Sequence, residues 1–236
     1  MTDVQLTFAS YNIHKAVGTD GVRDPERIIR VLREMDADVI ALQESDHRFG
    51  ERTSALPRRL LDDTPWRALP VARRRQSLGW HGNALLVRRR IRHLAAGALE
   101  LPTLEPRGAV FGELSVSGRR FTIVGTHLDL SGLRRRAQIR ALIEWRSEQK
   151  LRLPTVIMGD FNQWGRVTGA MREFGMGWQQ LAPGASFPAR RPIAKLDRIV
   201  TTPEWSYVSS AAHHSAIAVQ ASDHLPVLAT LNLPKN

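Results

Sequence analysis

Thr155-Val156-Ile157-Met158-Gly159-Asp160-Phe161-Asn162 is a short apolar run that ends abruptly in an acid and, two residues later, an amide. A continuous apolar run of this length reads as a strand covered on both faces, Thr155 to Met158. Glycine at 159 permits a close backbone approach, and Asp160 and Asn162 project side chains of similar reach. Upstream, Phe121 to Thr126 reads as a second strand, ending at His127. Between the two lies a segment with Ile139, Leu142, Ile143 and Trp145 at helical spacing, which predicts a helix from about Leu133 to Lys150 that stops before Pro154. The unit is therefore strand, helix, strand, with polar residues at the strands' C-terminal ends, where open α/β folds place ligands.

The N-terminal third repeats this plan. Leu6 to Ile13 and Val39 to Gln43 read as strands, the first running into Asn12 and His14, the second into Glu44. Asp24-Pro25-Glu26 supplies an N-cap, a proline at the first helical position and an early acid. Ile28, Ile29, Val31, Leu32 and Met35 follow at helical spacing. Asn12 to Glu44 is 32 residues and His127 to Asp160 is 33, so the chain reads as two related halves. Further strands are expected at Ala84 to Val87, Ala109 to Val116, Arg198 to Val200 and Val227 to Leu231. No low-complexity linker interrupts the chain, and one domain over residues 1–236 is expected.

Composition narrows the chemistry. There is no cysteine, so disulfides and thiolate metal sites are excluded and any metal must be held by oxygen or imidazole nitrogen. No run of roughly 20 apolar residues is present, as a membrane-spanning helix requires, and no basic segment followed by an apolar core marks a secretory signal. A cytoplasmic location is the simplest expectation. The 34 Lys and Arg against 23 Asp and Glu give a net charge of +11. Such a balance suits polyanionic partners, nucleic acid or anionic lipid headgroups. The arginines at 73–75, 88–90 and 134–136 fit a solvated basic surface equally well.

Taken singly, the polar residues at strand ends carry bland readings. Glu44 fits a strand terminus, His127 a satisfied polar group, and Ser222-Asp223-His224 an ordinary turn. Together they supply carboxylates, amides and imidazoles without a thiol. A hard cation such as Mg²⁺ takes oxygen ligands, with water and substrate phosphate completing its shell. Imidazoles and amides then meet a phosphate and its attacking water. His47, His93, His213 and His214 read as surface or partly buried groups, and His81 is undecided. Lys15 reads as solvated. Trp66, Trp80, Trp145, Trp178 and Trp205 read as packing residues, whereas Trp164, just after the Asp160–Asn162 turn, is a candidate to touch substrate.

The ordered set of Asn12, Leu42-Gln43-Glu44, Thr126-His127, Gly159-Asp160-Phe161-Asn162, Leu196-Asp197-Arg198-Ile199 and Ser222-Asp223-His224 resembles the endonuclease/exonuclease/phosphatase superfamily, with DNase I among its members. The resemblance implies a four-layer α/β sandwich, two mixed β-sheets face to face with helices outside. It implies Mg²⁺ or Mn²⁺ at Glu44, with Asn12 and Asp223 close by. It makes Asp160 the group that orients or deprotonates the attacking water, with Asn162 beside it on a phosphate oxygen. His224 contacts the phosphate with its tautomer fixed by Asp197, and His127 stabilises phosphoryl oxygens or the leaving group. Arg107 matches a phosphate-facing arginine, and Asn83 is expected in the same pocket. His127 stands where repair endonucleases of the group carry tyrosine, and the lead-in Arg191 to Leu196 differs from that of inositol-polyphosphate phosphatases. The implied activity is phosphodiester hydrolysis on nucleic acid, a phospholipid headgroup or a small diester. The alternatives are phosphomonoester hydrolysis or a silent nucleic-acid-binding module.

Overall fold

A computed structural model describes residues 4–47, 50–103, 107–165, 169–181 and 183–234. The stretch Glu105-Pro106 leading into Arg107 lies outside the described residues. One sheet contains β1 (Val4–Asn12), β2 (Val39–Gln43), β3 (Trp66–Ala68), β4 (Ala84–Arg88), β11 (Ser206–Ala212) and β12 (Val227–Leu233), in the order β11-β12-β1-β2-β4-β3. The other contains β5 (Arg92–Glu100), β6 (Gly108–Val116), β7 (Arg119–His127), β8 (Thr155–Asp160), β9 (Gln179–Leu181) and β10 (Asp197–Thr201), in the order β5-β6-β7-β8-β10-β9.

Each sheet has one parallel pair among antiparallel neighbours, and these are the two halves read from the sequence. β1 pairs with β2 through the crossover helix α1 (Pro25–Met35), and β7 pairs with β8 through a longer one. A short α2 (Arg59–Asp62) precedes β3, the second crossover is α3 (Gly132–Glu148), and α4 (Ala216–Ala221) precedes β12. The start of α1 is as its sequence dictates. Asp24 accepts the backbone N–H of Arg27 at 3.0 Å and Pro25 occupies the first turn. Its end is a left-handed Asp36, φ 47°.

The inner faces of the two sheets share one core, with Leu6, Phe8, Val39, Leu85 and Leu231 on one side and Val110, Ile123, Val156, Met158 and Ile199 on the other. Trp205 meets Phe8 and Phe121 edge-on, at 5.2 and 5.6 Å between ring centres. The outer faces bury separately. Ile28, Leu32 and Met35 of α1 cover Ile40, Leu42 and Leu86. Ile139 and Leu142 of α3 cover Val124 and Ile157. Helix, sheet, sheet, helix is the four-layer sandwich expected. On α3, Ile143 and Trp145 are only half-buried. No described helix is long and apolar enough to cross a membrane.

Candidate active site

Parallel pairing aligns the polar ends of the strands. His127, last in β7, is registered opposite Asp160, last in β8, and Asp160 faces Asp197, first in β10. Asn12 ends β1, beside Gln43 at the end of β2. Because the sheets pack face to face, both sets of ends meet at one edge of the sandwich. Asn12 Nδ2 donates across the gap to Asp160 Oδ2 at 3.1 Å. Gly159 makes this register feasible, since a Cβ there would lie 1.8 Å from the Thr126 carbonyl oxygen.

Asp160 is the centre. It is 2% exposed, and its Oδ1 accepts the backbone N–H of Asn162 at 2.9 Å. His127 Nε2 stands 3.4 Å and His224 Nε2 3.8 Å from its Oδ2. The two imidazoles are in opposite charge states. Burial pushes His127 down to about 3, with Arg107, His224 and Lys15 adding to the effect and Asp160 opposing it, so the ring is neutral. Burial would lower His224 too, but the Asp197 carboxylate outweighs it and raises the ring to about 10. His224 Nδ1 lies 2.7 Å from Asp197 Oδ2, which also accepts Ser186 Oγ–H at 2.6 Å. An ionised carboxylate only accepts, so Nδ1 carries a proton and Nε2 faces Asp160. The Phe187 ring packs on His224 with 4.8 Å between centres, and the exposed Trp164 packs in turn on Phe187.

Asn162 takes a left-handed φ of 50° and spends one amide hydrogen on the Leu128 carbonyl at 2.8 Å. Glu44 follows β2 with φ 53°, backed by Gly82, whose own φ is +78° and where a Cβ would approach Glu44 Cα to 3.3 Å. His14, Lys15 and Ala16 form a turn of three consecutive left-handed residues, φ 45°, 56° and 60°. That turn links the expected ligands. His14 N–H donates to Asn12 Oδ1 at 3.1 Å, the His14 ring sits 3.8 Å from the half-exposed Asp223, and Lys15 hydrogen-bonds Glu44. Burial would raise the Glu44 carboxyl, but Lys15, with His14 and Arg107 behind it, holds it below its usual value.

Glu44, Lys15, Arg107, His127, His47, Arg52 and His81 line one pocket. Two readings are corrected here. Lys15 is not a solvated lysine but the partner of Glu44. His47 is half-buried, as expected, and lines the pocket. Asn83 is fully buried beneath the pocket, not on its wall, with Nδ2 donating to the Gly108 carbonyl at 3.1 Å and its Oδ1 without a partner. Sequence reasoning missed Lys15, His47 and Arg52 because they sit in loops without periodicity. The one available signal was their closeness in sequence to Asn12 and Glu44.

Among the described residues, three potential metal-ligating atoms converge at Asp160, Asp197 and His224, all buried. Asp197 Oδ2 there already accepts two hydrogen bonds. The arginine clusters divide. Arg88 and Arg90 are engaged by Asp36 and Asp38, and Arg135 by the carbonyls of Asp129 and Leu130. Arg73, Arg74 and Arg75 line a shallow groove, where Arg73 is held by Glu100 at 2.5 Å and Arg74 donates to the Gly50 carbonyl at 3.3 Å.

The model of the Endonuclease/Exonuclease/phosphatase family matches residues 9–224, a span that holds every residue of the site. The chain belongs to this family. Its members are hydrolases acting on phosphoester bonds, among them phosphodiesterases, nucleases and phosphatases. The chain is 28% identical to the uncharacterized protein YbhP of Escherichia coli K12 over 188 residues, 73% of this chain and 72% of YbhP. A family protein from Bacteroides thetaiotaomicron superposes with a TM-score of 0.80 at 18% identity, covering 100% of both chains. D. rerio TDP2 in complex with a single-strand DNA product superposes at 0.75 and 16% identity, over 98% of this chain and 100% of that one. At these identities the solved structures establish the fold alone.

Proposed function

We propose that this chain is a divalent-metal-dependent phosphodiesterase. The observation that carries the reading is the setting of Asp160: a buried carboxylate facing one neutral and one charged imidazole, at the edge of a cationic pocket that also holds Glu44. The donor set fits Mg²⁺ or Mn²⁺. Glu44 and Asp223 offer carboxylate oxygens and Asn12 an amide oxygen, and Glu44 already holds a cation in the Lys15 ammonium. When bound there, such an ion neutralises charge on the phosphate and stabilises the leaving alkoxide.

The chain's own groups do the rest. Asp160 orients the attacking water and accepts its proton. His224, held by Asp197, presents a charged Nε2–H to the phosphate, and Arg107 adds a guanidinium. His127, being neutral, donates a hydrogen bond to a phosphoryl oxygen without paying for a buried charge. Asn162 retains one amide hydrogen for a second oxygen. Asn83 acts by propping the Gly82 turn from beneath.

Nucleic acid is the favoured substrate class among those considered, with anionic lipid headgroups and small diesters as its rivals. The net charge of +11 and the Arg73–Arg75 groove support it, as does the DNA product in the TDP2 neighbour. The test compares bis(p-nitrophenyl) phosphate with p-nitrophenyl phosphate, using wild type and Asp160→Asn. The reading expects the diester to be turned over faster and Asp160→Asn to lose on the order of 10²-fold or more. Preference for the monoester makes the chain a phosphatase, and no turnover of either makes it a binding module.

A further inference from the structure

The same pocket is also lined by His47, Arg52 and His81, none of which the chemistry above uses. Arg52 and His81 are both held at left-handed φ values of 50°, a conformation non-glycine residues adopt at a cost. The strain brings them together. Arg52 Nη1 donates to His81 Nδ1 at 2.7 Å. A guanidinium has no acceptor, so Nδ1 must be the bare nitrogen and Nε2 carries the proton. Burial, then the charges of Arg52, Arg73 and Arg74, push His81 down to about 4, which keeps it in this neutral donor form. The ring is fixed from its other side by Trp80, 4.1 Å between centres, over which Arg73 lies at 4.4 Å.

Arg52 and His81 offer hydrogen-bond donors and a positive charge to the pocket. Among the described residues Arg52 has no carboxylate within ion-pair distance. Of the acids nearby, Glu100 is engaged by Arg73 at 2.5 Å, and the oxygens of Asp46 accept the backbone N–H groups of Leu78 at 2.7 Å and Gly79 at 3.3 Å. A permanently charged guanidinium in a half-enclosed pocket is matched by an anion with planar or tetrahedral oxygens. The scissile phosphate belongs near His127, Arg107 and Glu44, which line the same pocket.

We infer that Arg52 and His81 form a second anion subsite, which selects substrates carrying another phosphate group close to the scissile one. The inference rests on the phosphoesterase reading for the place of the first phosphate. The second phosphate has two sources, the next internucleotide phosphate of a strand or a terminal phosphate on a small molecule.

Equilibrium binding in EDTA-containing buffer separates this from catalysis, because no turnover is needed. The probes are thymidine 5′-monophosphate against thymidine 3′,5′-bisphosphate, and TpT against TpTpT. Wild type is expected to bind at least one two-phosphate probe on the order of tenfold more tightly than its one-phosphate counterpart. Arg52→Gln should erase that ratio, and Arg52→Lys, which keeps the charge without the fork, should retain part of it. His81→Gln guards against misfolding of the Arg52 variant and should also lower the ratio. A gain limited to TpTpT identifies a strand, and a gain limited to the bisphosphate identifies a small molecule. Equal binding of both members of each pair, or a preference that survives Arg52→Gln, overturns the subsite. Diester turnover without any such preference leaves the phosphodiesterase reading intact and refutes the subsite alone.

Discussion

Asp197 is fully buried, and its hydrogen bond to the catalytic set is the 2.7 Å contact of its Oδ2 with His224 Nδ1. Asp197→Asn nearly preserves its shape but removes the charge and lets the amide present N–H to the ring. A hydrogen bond to a charged group contributes about 1.5–3 kcal/mol, and each 1.4 kcal/mol or so is tenfold in rate. The substitution should therefore lower kcat for bis(p-nitrophenyl) phosphate about 10- to 100-fold, with a smaller change in KM. His224→Ala should cost at least as much. In the His224→Ala background the Asp197 substitution should cost less than about threefold, because the two act as one unit. A fold defect is excluded by matching thermal unfolding. The readout specific to positioning is the ¹⁵N spectrum of His224, where Asp197→Asn should lower the ring's pKa and shift its tautomer. If the double variant loses the full product of the two single losses, or the His224 titration does not move, Asp197 is structural and the pairing carries no catalytic role.

Two further outcomes follow from the site's electrostatics. Lys15→Met should tighten Mn²⁺ binding measured by calorimetry, since the ammonium and the ion compete for Glu44, whereas Glu44→Ala should weaken it by at least tenfold; no change in either variant would move the metal elsewhere. His127 is depressed to about 3 from an ordinary value of 6.5, so the folded state binds fewer protons than the unfolded one between those values. Its burial therefore adds stability above pH 6.5 that is lost as pH falls toward 3, on the order of a few kcal/mol in all. His127→Gln should accordingly flatten the acid side of the stability profile, and an unchanged acid midpoint would mean that His127 titrates normally.

The two crossover units were legible in the sequence because each couples a continuous apolar run to a helix with a clear start or stop. What escaped detection has a common cause. β11, β3, β5 and β9 are the four outer strands of the two sheets. β5 and β11 are largely exposed or half-buried and made of small or polar residues, so they show neither an apolar run nor clean alternation. β3 and β9 are three residues each, held by pairing with a neighbour more than by their own pattern. The site divides in the same way. Asp160, His127, Asp197 and Asn12 could be read because strand termini fix them. The pairing of Arg52 with His81 could not, because the two meet through left-handed loop conformations that leave no period in the sequence.

The most direct test of the central claim is turnover of bis(p-nitrophenyl) phosphate by wild-type protein stripped with EDTA and then titrated with Mg²⁺ or Mn²⁺. The account predicts no activity above background in EDTA, a saturable return with added metal, and no return in Asp160→Asn at any metal concentration. Full turnover in metal-free buffer, or full rescue of Asp160→Asn by metal, would contradict it.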